Sequence, residues 1–387
     1  MKAVIHIFVQ FFLLGWVSFG GPAAHIGYYR KKFVEQDKWL DDAAYGRLVA
    51  LSQFLPGPGS SQVGFALGYR KAGVPGAIAA FLGFTTPSFL LMYGLSRLGQ
   101  SVMGNPAVDA VIFGLKLLAV VVVTDAVWGM AGSFCKRRLH WGLACVSAAV
   151  LLVVPGVLAQ LAVLAVAALL SASLTPAVAI PATANGTGST RWQRGAALAL
   201  ALALGLALLP AMGGLHQIYK DFFQAGALVF GGGHVVLPLL QETVGSQVGA
   251  ETFLTGYAAA QAVPGPMFTL ATFLGAELAP QSPLLGALVA TLALFLPGLL
   301  LVLVLYHGWE ALASRPKVAA AAAGINAAVV GLLISALFAP VFVTAVHGPV
   351  EMALVILGLF VLRGLKWPIW ALIAFMVGAC LLRFALL

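Results

Sequence analysis

Apolar residues recur in long runs from Val4 to Leu387, and no polar stretch between them is long enough to fold as a separate soluble domain. Runs of this kind predict helices embedded in a bilayer as one unit. The first, Ala3 to Gly20, has the length of a signal peptide. Gly20, Gly21 and Pro22 lead on into more apolar sequence without an A-x-A cleavage site, which predicts a retained first helix.

The interruptions are as regular as the runs. QFLPGP at Gln53 to Pro58 returns as QAVPGP at Gln261 to Pro266, and FGG at Phe19 to Gly21 returns at Phe230 to Gly232. Downstream, Phe65 matches Phe273, Gly76-Ala77 matches Gly286-Ala287, Pro87 matches Pro297, Asn105-Pro-Ala-Val108 matches Arg315-Pro-Lys-Val318, and Gly114 matches Gly324. An ordered set of matches at nearly constant spacing marks a duplication. The expected organisation is a first repeat over 1–172, a linker over 173–215, and a second repeat over 216–387. The linker holds a Pro-, Gly-, Ser- and Thr-rich stretch, Ser173 to Arg194, and an extra apolar span, Gly195 to Pro210.

Each repeat reads as a first helix (Val4 to Gly20; His216 to Gly231), then a broken pair of half-helices, then three or four further spans. The broken pairs are Asp42 to Leu55 with Gly59 to Arg70, and Ala250 to Val263 with Met267 to Leu278. At ~1.5 Å per residue each half-helix covers about half a bilayer, so a pair makes either one crossing broken near the midplane or a re-entrant excursion. The expected fold class is therefore all-α: a polytopic membrane protein of two homologous, inverted repeats with helices broken at Pro-Gly-Pro.

Charge bears on that orientation. Of the 387 residues 61% are hydrophobic and only 9% charged, with a formal net charge of +9. In a soluble protein such a balance would suggest a nucleic-acid partner, but here the cations sit in connections between spans and act as topology signals, so no nucleic acid is expected. If the broken pair and Gly195 to Pro210 each count as one crossing, Arg70, Lys71, Lys136, Arg137, Arg138, Arg191, Arg194, Arg315, Lys317, Arg363 and Lys366 share one side, which would be the cytoplasm. Arg30, Lys31, Lys32 and Lys38 are then the exceptions. A re-entrant pair would make the copies parallel and misplace the charges of the second copy instead. The count favours inversion.

The chemistry gathers at the breaks. Proline ends one half-helix and starts the next, so Gly57, Gly59, Ser60 and Ser61 lie where backbone N–H groups are unpaired and the helix dipole is positive, a place suited to an anion. Ser60, Ser61, Gln62 and Gln53 add neutral donors. Gln261, Gly265 and Thr269 are their analogues, but Met267 and Phe268 replace the small polar residues. The competing reading is a tight kink for close packing. Lys116, in the apolar run Ala107 to Thr124, is a candidate substrate or coupling charge, with Asn326 in its place in the second copy. Arg47 is a weaker candidate. His25 and His234, after the glycine-rich helix ends, read as hydrogen-bonded residues more readily than as proton carriers. Cys135, Cys145 and Cys380 are widely spaced, no H-E-x-x-H occurs, and neither metal nor cofactor is expected.

The stretch Phe19 to Met92, with FGGPAAHIGYY and QFLPGPGSSQ, and its weaker copy Phe230 to Val302 resemble the chromate ion transporter family in its long, two-domain form. The resemblance implies export of chromate from the cytoplasm across the cell membrane, resistance to chromate, and energy from the membrane potential or a proton gradient. It assigns motif roles to Phe19, Gly20, Gly21, Pro56, Gly57 and Pro58, and to Gly231, Gly232, Pro264, Gly265 and Pro266. Gly233-His234 departs from Pro22-Ala23. Sulfate shares the shape and charge of chromate and is the alternative substrate; a passive anion channel is the alternative mechanism. Membrane lipid surrounds the chain on either reading, and a homodimer is an assembly the sequence leaves open.

Overall fold

The computed structural model describes residues 2–19, 21–102, 106–175, 191–230 and 233–386, so Gly20, Gly231, Gly232, Asn105 and the linker stretch 176–190 lie outside the described residues. The described residues form helices and no strand. Five of them are long and apolar enough to cross a membrane, among them Pro106–Phe134 and Pro283–Leu305.

The first helix, α1 (Lys2–Val17), does not lead onward to the far end of the bundle. It is followed by α2 (Gly21–Tyr29), which continues as a π-helical segment Arg30–Gln36 running back alongside it. Phe11 of α1 packs on Tyr29 and Phe33, with ring centroids 5.5 and 4.9 Å apart, and His6 lies 6.4 Å from Trp39. The broken pair follows as α3 (Asp42–Phe54) and α4 (Gly59–Val102). α4 has non-helical dihedrals at Ala72 and Gly73, where Gly73 takes a φ of 63°. Its first arm, 59–71, therefore turns sharply into its second, 74–102, and Gly68 lies against Gly76 across the turn.

This corrects the expectation that the broken pair crosses the membrane. Lys71, at the end of the first arm, places its Nζ 5.1 Å from the centroid of Trp39, just before α3. The chain thus enters and leaves at one end of the molecule. The reason is physical: both ends of the pair carry charge (Lys38, Asp41 and Asp42; Arg70 and Lys71), and folding back keeps all of them in water at one surface. The second copy does the same with α12 (Ala250–Ala262) and α13 (Leu270–Leu278), where the Phe273 ring lies against Gly256.

Helices α5 (Pro106–Phe134), α6 (Arg138–Val153) and α7 (Val157–Leu174) complete the first repeat. The apolar stretch expected as an extra span lies mostly in helix α8 (Arg191–Leu208), which is not one of the five long apolar helices, and Gln193 Nε2 joins it to the end of α14 (Pro283–Leu305) by donating to Val304 O at 3.4 Å. The second repeat opens with α9 (Gly214–Leu228) and the short α10 (Val236–Leu240) and α11 (Ser246–Val248), which precede α12. After α14 come α15 (Trp309–Ala313), α16 (Pro316–Ala336), α17 (Val343–Ala345), α18 (Pro349–Leu359) and α19 (Ile369–Leu386).

The copies interlock through contacts that occur twice. Gly57 N donates to Val229 O at 2.6 Å, and Gly265 N donates to Ser18 O at 2.9 Å, so each Pro-Gly-Pro tip is tied to the turn of the other copy. A side chain on Gly57 would meet Gly298, and one on Gly265 would meet Ser88. Gly114 of α5 sits on Val377 of α19, and Gly324 of α16 on Ala167 of α7. Tyr69 stands edge-on to Tyr306 with ring centroids 4.8 Å apart, and Ser96 Oγ donates to Glu277 Oε1 at 2.7 Å. The last two pairs give direction. The far end of α4's second arm meets residues just before α14, and the residue after α14 meets residues just before that arm, so the two helices run in opposite senses.

Candidate anion site

Each Pro-Gly-Pro break meets the end of the other copy's first helix, through Gly57 N with Val229 O and Gly265 N with Ser18 O. At the first break, α3 closes with Leu55 N donating to Leu51 O at 3.1 Å, and the first arm of α4 opens with Gln62 N donating to Pro58 O at 2.9 Å. The N–H groups of Gly59, Ser60 and Ser61 precede that first intrahelical bond and are the orphan donors of a helix start. Ser60, Ser61 and Gln62 are buried around them, at 4%, 3% and 0% exposure.

Those three side chains do different work. Gln62 Nε2 donates to Pro56 O at 2.8 Å and to Gly298 O at 3.1 Å, so its amide hydrogens staple the break to the second copy. Its Oε1 has no partner, and as an acceptor it offers nothing to an oxyanion. Ser60 Oγ lies 3.1 Å from His25 Nδ1, and His25 Nε2 lies 3.1 Å from Ser18 O. Of these three, Ser61 is the one whose donor is buried and unpartnered; the hydroxyls of Ser18, Tyr29 and Thr85 are likewise buried without a partner, but none of them lies at the start of α4. A buried polar group without a partner is costly, and a ligand that accepts from it removes the cost.

The second break is closed on itself. Thr269 Oγ1 donates to Pro266 O at 2.8 Å, and Gln261 Nε2 lies 2.7 Å from Met267 Sδ and 3.4 Å from His234 Nδ1. Tyr257 Oη approaches the same His234 nitrogen at 3.2 Å. Gly21, Gly57 and Gly265 have φ of 75°, 121° and 99°, which suits the turns they occupy.

The remaining candidates lie apart from the tips. Arg47 and Gln53 occupy an exposed face of α3 together with Ala43, Gly46 and Ala50. Lys116 is not brought to a break: its Nζ lies 3.0 Å from Glu251 Oε1, at the opposite end of α12 from Pro264. Its side chain is 8% exposed and that of Glu251 83%. Asp125, further along α5, pairs with Arg363 at 2.7 Å. What the sequence reading missed is the part played by Ser18 and Ser88 on the first copy and Gly298 on the second. The one signal for them is register, since each sits beside a repeat landmark: Ser18 before FGG, Ser88 after Pro87, Gly298 after Pro297.

Comparison with known proteins agrees with this architecture. Residues 5–174 and 216–382 match the family described as Chromate transporter. The chain is 29% identical over 339 residues to a chromate transport protein of Pseudomonas aeruginosa, covering 84% of this chain and 78% of that one. It is 28% identical over 340 residues to a probable chromate transport protein of Synechococcus elongatus, covering 84% and 82%. A chromate transport protein of Cupriavidus metallidurans is 28% identical over 342 residues, covering 85% and 80%. No solved structure matches the chain. With a match in each copy and most of the length covered, the chain belongs to the chromate transporter family, a family of membrane transporters rather than enzymes.

Proposed function

We propose that this protein is a secondary transporter that carries chromate out of the cytoplasm across the cell membrane and so confers resistance to it. The anion sits at the start of α4's first arm, on the N–H groups of Gly59 to Ser61 and the hydroxyl of Ser61. The observation that carries this reading is the buried, unpartnered Ser61 Oγ beside a helix N-terminus. The second break, whose hydroxyl and amide groups are already paired, shapes the site rather than binding.

The two copies, 1–172 and 216–387 joined by 173–215, are inverted with respect to the membrane. The reading rests on the opposed senses of α4's second arm and α14, and on charge. With α1–α2 and the Pro-Gly-Pro pair both re-entrant, every Lys and Arg except Arg97, Lys116, Lys220 and Arg383 falls toward the end that holds Trp39 and Lys71. Arg30, Lys31, Lys32 and Lys38 are no longer exceptions, and that end is the cytoplasmic one.

The copies differ in one respect that bears on transport. Helix α12 packs along α5, whereas α3 makes no comparable contact with α16, the counterpart of α5. Accordingly Gly46 and Ala50 of α3 are exposed, while their counterparts Leu254 and Ala258 of α12 are buried. Arg47 and Gln53 share the exposed face, and an arginine there calls for water rather than lipid. The conformation is thus open to the cytoplasm along α3 and closed on the other side, where Lys116 and Glu251 hold α12 to α5. Exchange of the two arrangements between the copies gives alternating access.

Two outcomes test this. In a cysteine-free background, Ala50→Cys is expected to react with a water-soluble maleimide added from the cytoplasmic side, and Ala258→Cys to resist it; equal labelling of both would contradict the asymmetry. Glu251→Ala, which leaves Lys116 buried without its partner, is expected to slow transport more than Lys116→Met, which leaves only an exposed carboxylate. The expected difference is about 1 kcal/mol, small because one partner is solvated. Initial rates in proteoliposomes measure it, and a reversed order would remove the pair from the closed side.

A further inference from the structure

The hydrogen bonds of His25 fix where its proton lies. Ser18 O is a carbonyl and only accepts, so the nitrogen 3.1 Å from it, Nε2, carries the hydrogen. Nδ1 of the neutral ring is then an acceptor, and the group 3.1 Å from it is the Ser60 hydroxyl. Ser60 therefore spends its only proton on His25, and in this state it has none for an anion at the start of α4. His25 is held firmly in that role: it is 1% exposed, it stands edge-on to Phe84 at 5.1 Å, and the carbonyl it grips also accepts from Gly265 N of the other copy.

We propose that His25 couples a proton to the bound oxyanion by turning the Ser60 hydroxyl. When a proton from water binds Nδ1, that nitrogen becomes a donor and takes the Ser60 oxygen as its acceptor. The Ser60 O–H rotates away and points its hydrogen to the anion beside Ser61. No bond other than Nδ1–H forms, the imidazole gains one positive charge, and the proton is lost again when the anion leaves. The inference rests on the anion site proposed above and deepens it. It also supplies what that site lacks, since a divalent oxyanion is expensive to bury beside neutral donors alone.

The surroundings leave His25 the group that can respond. Tyr29, one turn on along α2, stands edge-on to the same Phe84 at 5.3 Å, and Tyr45 of α3 donates its hydroxyl to Ile26 O at 2.6 Å. Among the described residues, α1, both arms of α4 and the second break bring no carboxylate, lysine or arginine into an ion pair with it. His25 does not touch the anion itself; it is a positioning residue that acts through Ser60.

The test is chromate binding to the purified full-length protein as a function of pH, by equilibrium dialysis, for wild type and His25→Asn. Protonation of chromate in solution affects both proteins alike, so the readout is the difference between their slopes. The wild type is expected to lose up to tenfold more affinity per pH unit than His25→Asn over the range in which His25 titrates, and transport by wild-type proteoliposomes to move protons with the anion, as reported by an internal pH dye. Ser60→Ala, which keeps the imidazole, is expected to remove most of the gain at low pH, and it serves if His25→Asn fails to fold. Chromate binding by the wild type with the same slope as His25→Asn, or with no effect of Ser60→Ala, overturns the coupling and leaves the anion site standing. No chromate binding by the wild type at any pH overturns the site and the coupling together.

Discussion

Gly57→Ala is expected to deplete the folded protein, whereas Gly59→Ala, two residues away in the same motif, is expected to be tolerated. Gly57 has a φ of 121°, a conformation that costs a side-chain-bearing residue about 1–3 kcal/mol. Its Cβ would also lie 2.7 Å from Gly298 Cα and 2.9 Å from Gln62 Nε2. The first of those atoms is backbone of the other copy and cannot step aside, so overpacking adds about 1–3 kcal/mol. The same shift would strain the bond from Gly57 N to Val229 O and the Gln62 staple, loosening the interlock on which the tip depends. At Gly59 the nearest atom to a new Cβ is Ser52 O at 3.8 Å, ordinary contact, and the residue opens a helix. Thermal unfolding of detergent-solubilised protein, followed by size-exclusion fluorescence, separates the two. Equal melting temperatures would show that the tips are not packed as described.

Replacing both serines, Ser60→Ala with Ser61→Ala, is expected to raise the KM for chromate by roughly 10- to 100-fold with normal expression. A hydrogen bond to a charged group contributes about 1.5–3 kcal/mol, and each 1.4 kcal/mol is tenfold. Ser61→Ala alone should account for about tenfold, because its hydroxyl is already unpartnered and available. Thr269→Ala, at the matching position of the second break, should change KM little, since that hydroxyl is spent on Pro266 O. Radiolabelled uptake with the purified variants measures the set. A large effect at Thr269 and none at Ser61 would move the site to the other copy.

The contrast between the two breaks shows what could be read from the chain and what could not. Helix ends were legible because proline and glycine act locally: the half-helices expected at Asp42 to Leu55 and Ala250 to Val263 form as Asp42–Phe54 and Ala250–Ala262. The fold-back was not, although Gly73 marked it, since a glycine turn permits reversal without requiring it. What decides is packing across the pair, such as the Phe273 ring on Gly256. The roles of individual polar groups were less legible still. Gln62 reads as a donor in sequence, but its two carbonyl partners include one 236 residues away. The partner of Lys116 lies 135 residues on, beyond the reach of any helical spacing. His25 read as an ordinary hydrogen-bonded histidine, and so it is; only the identity of its two partners, a carbonyl and a serine of the site, makes it more.

Re-entry also altered the meaning of charge. Treating the broken pair as one span left the cluster from Arg30 to Lys38 unexplained, and counting a single re-entrant pair would have made the copies parallel. On the proposed inverted arrangement, the folding back of α1 with α2 and of α3 with the first arm of α4 brings that cluster to the side of the other cations. Lys32 with Asp37 at 3.1 Å, and Arg30 with Asp42 at 2.8 Å, are ion pairs of that surface.

The most direct test of the central claim is chromate accumulation by proteoliposomes of the purified protein under an imposed proton or electrical gradient, compared between wild type and Ser61→Ala. The account predicts that the wild type concentrates chromate above the external level, and that Ser61→Ala needs about tenfold more chromate to reach the same rate. Movement of chromate only down its gradient, or concentrative transport by Ser61→Ala with the wild-type KM, would contradict it.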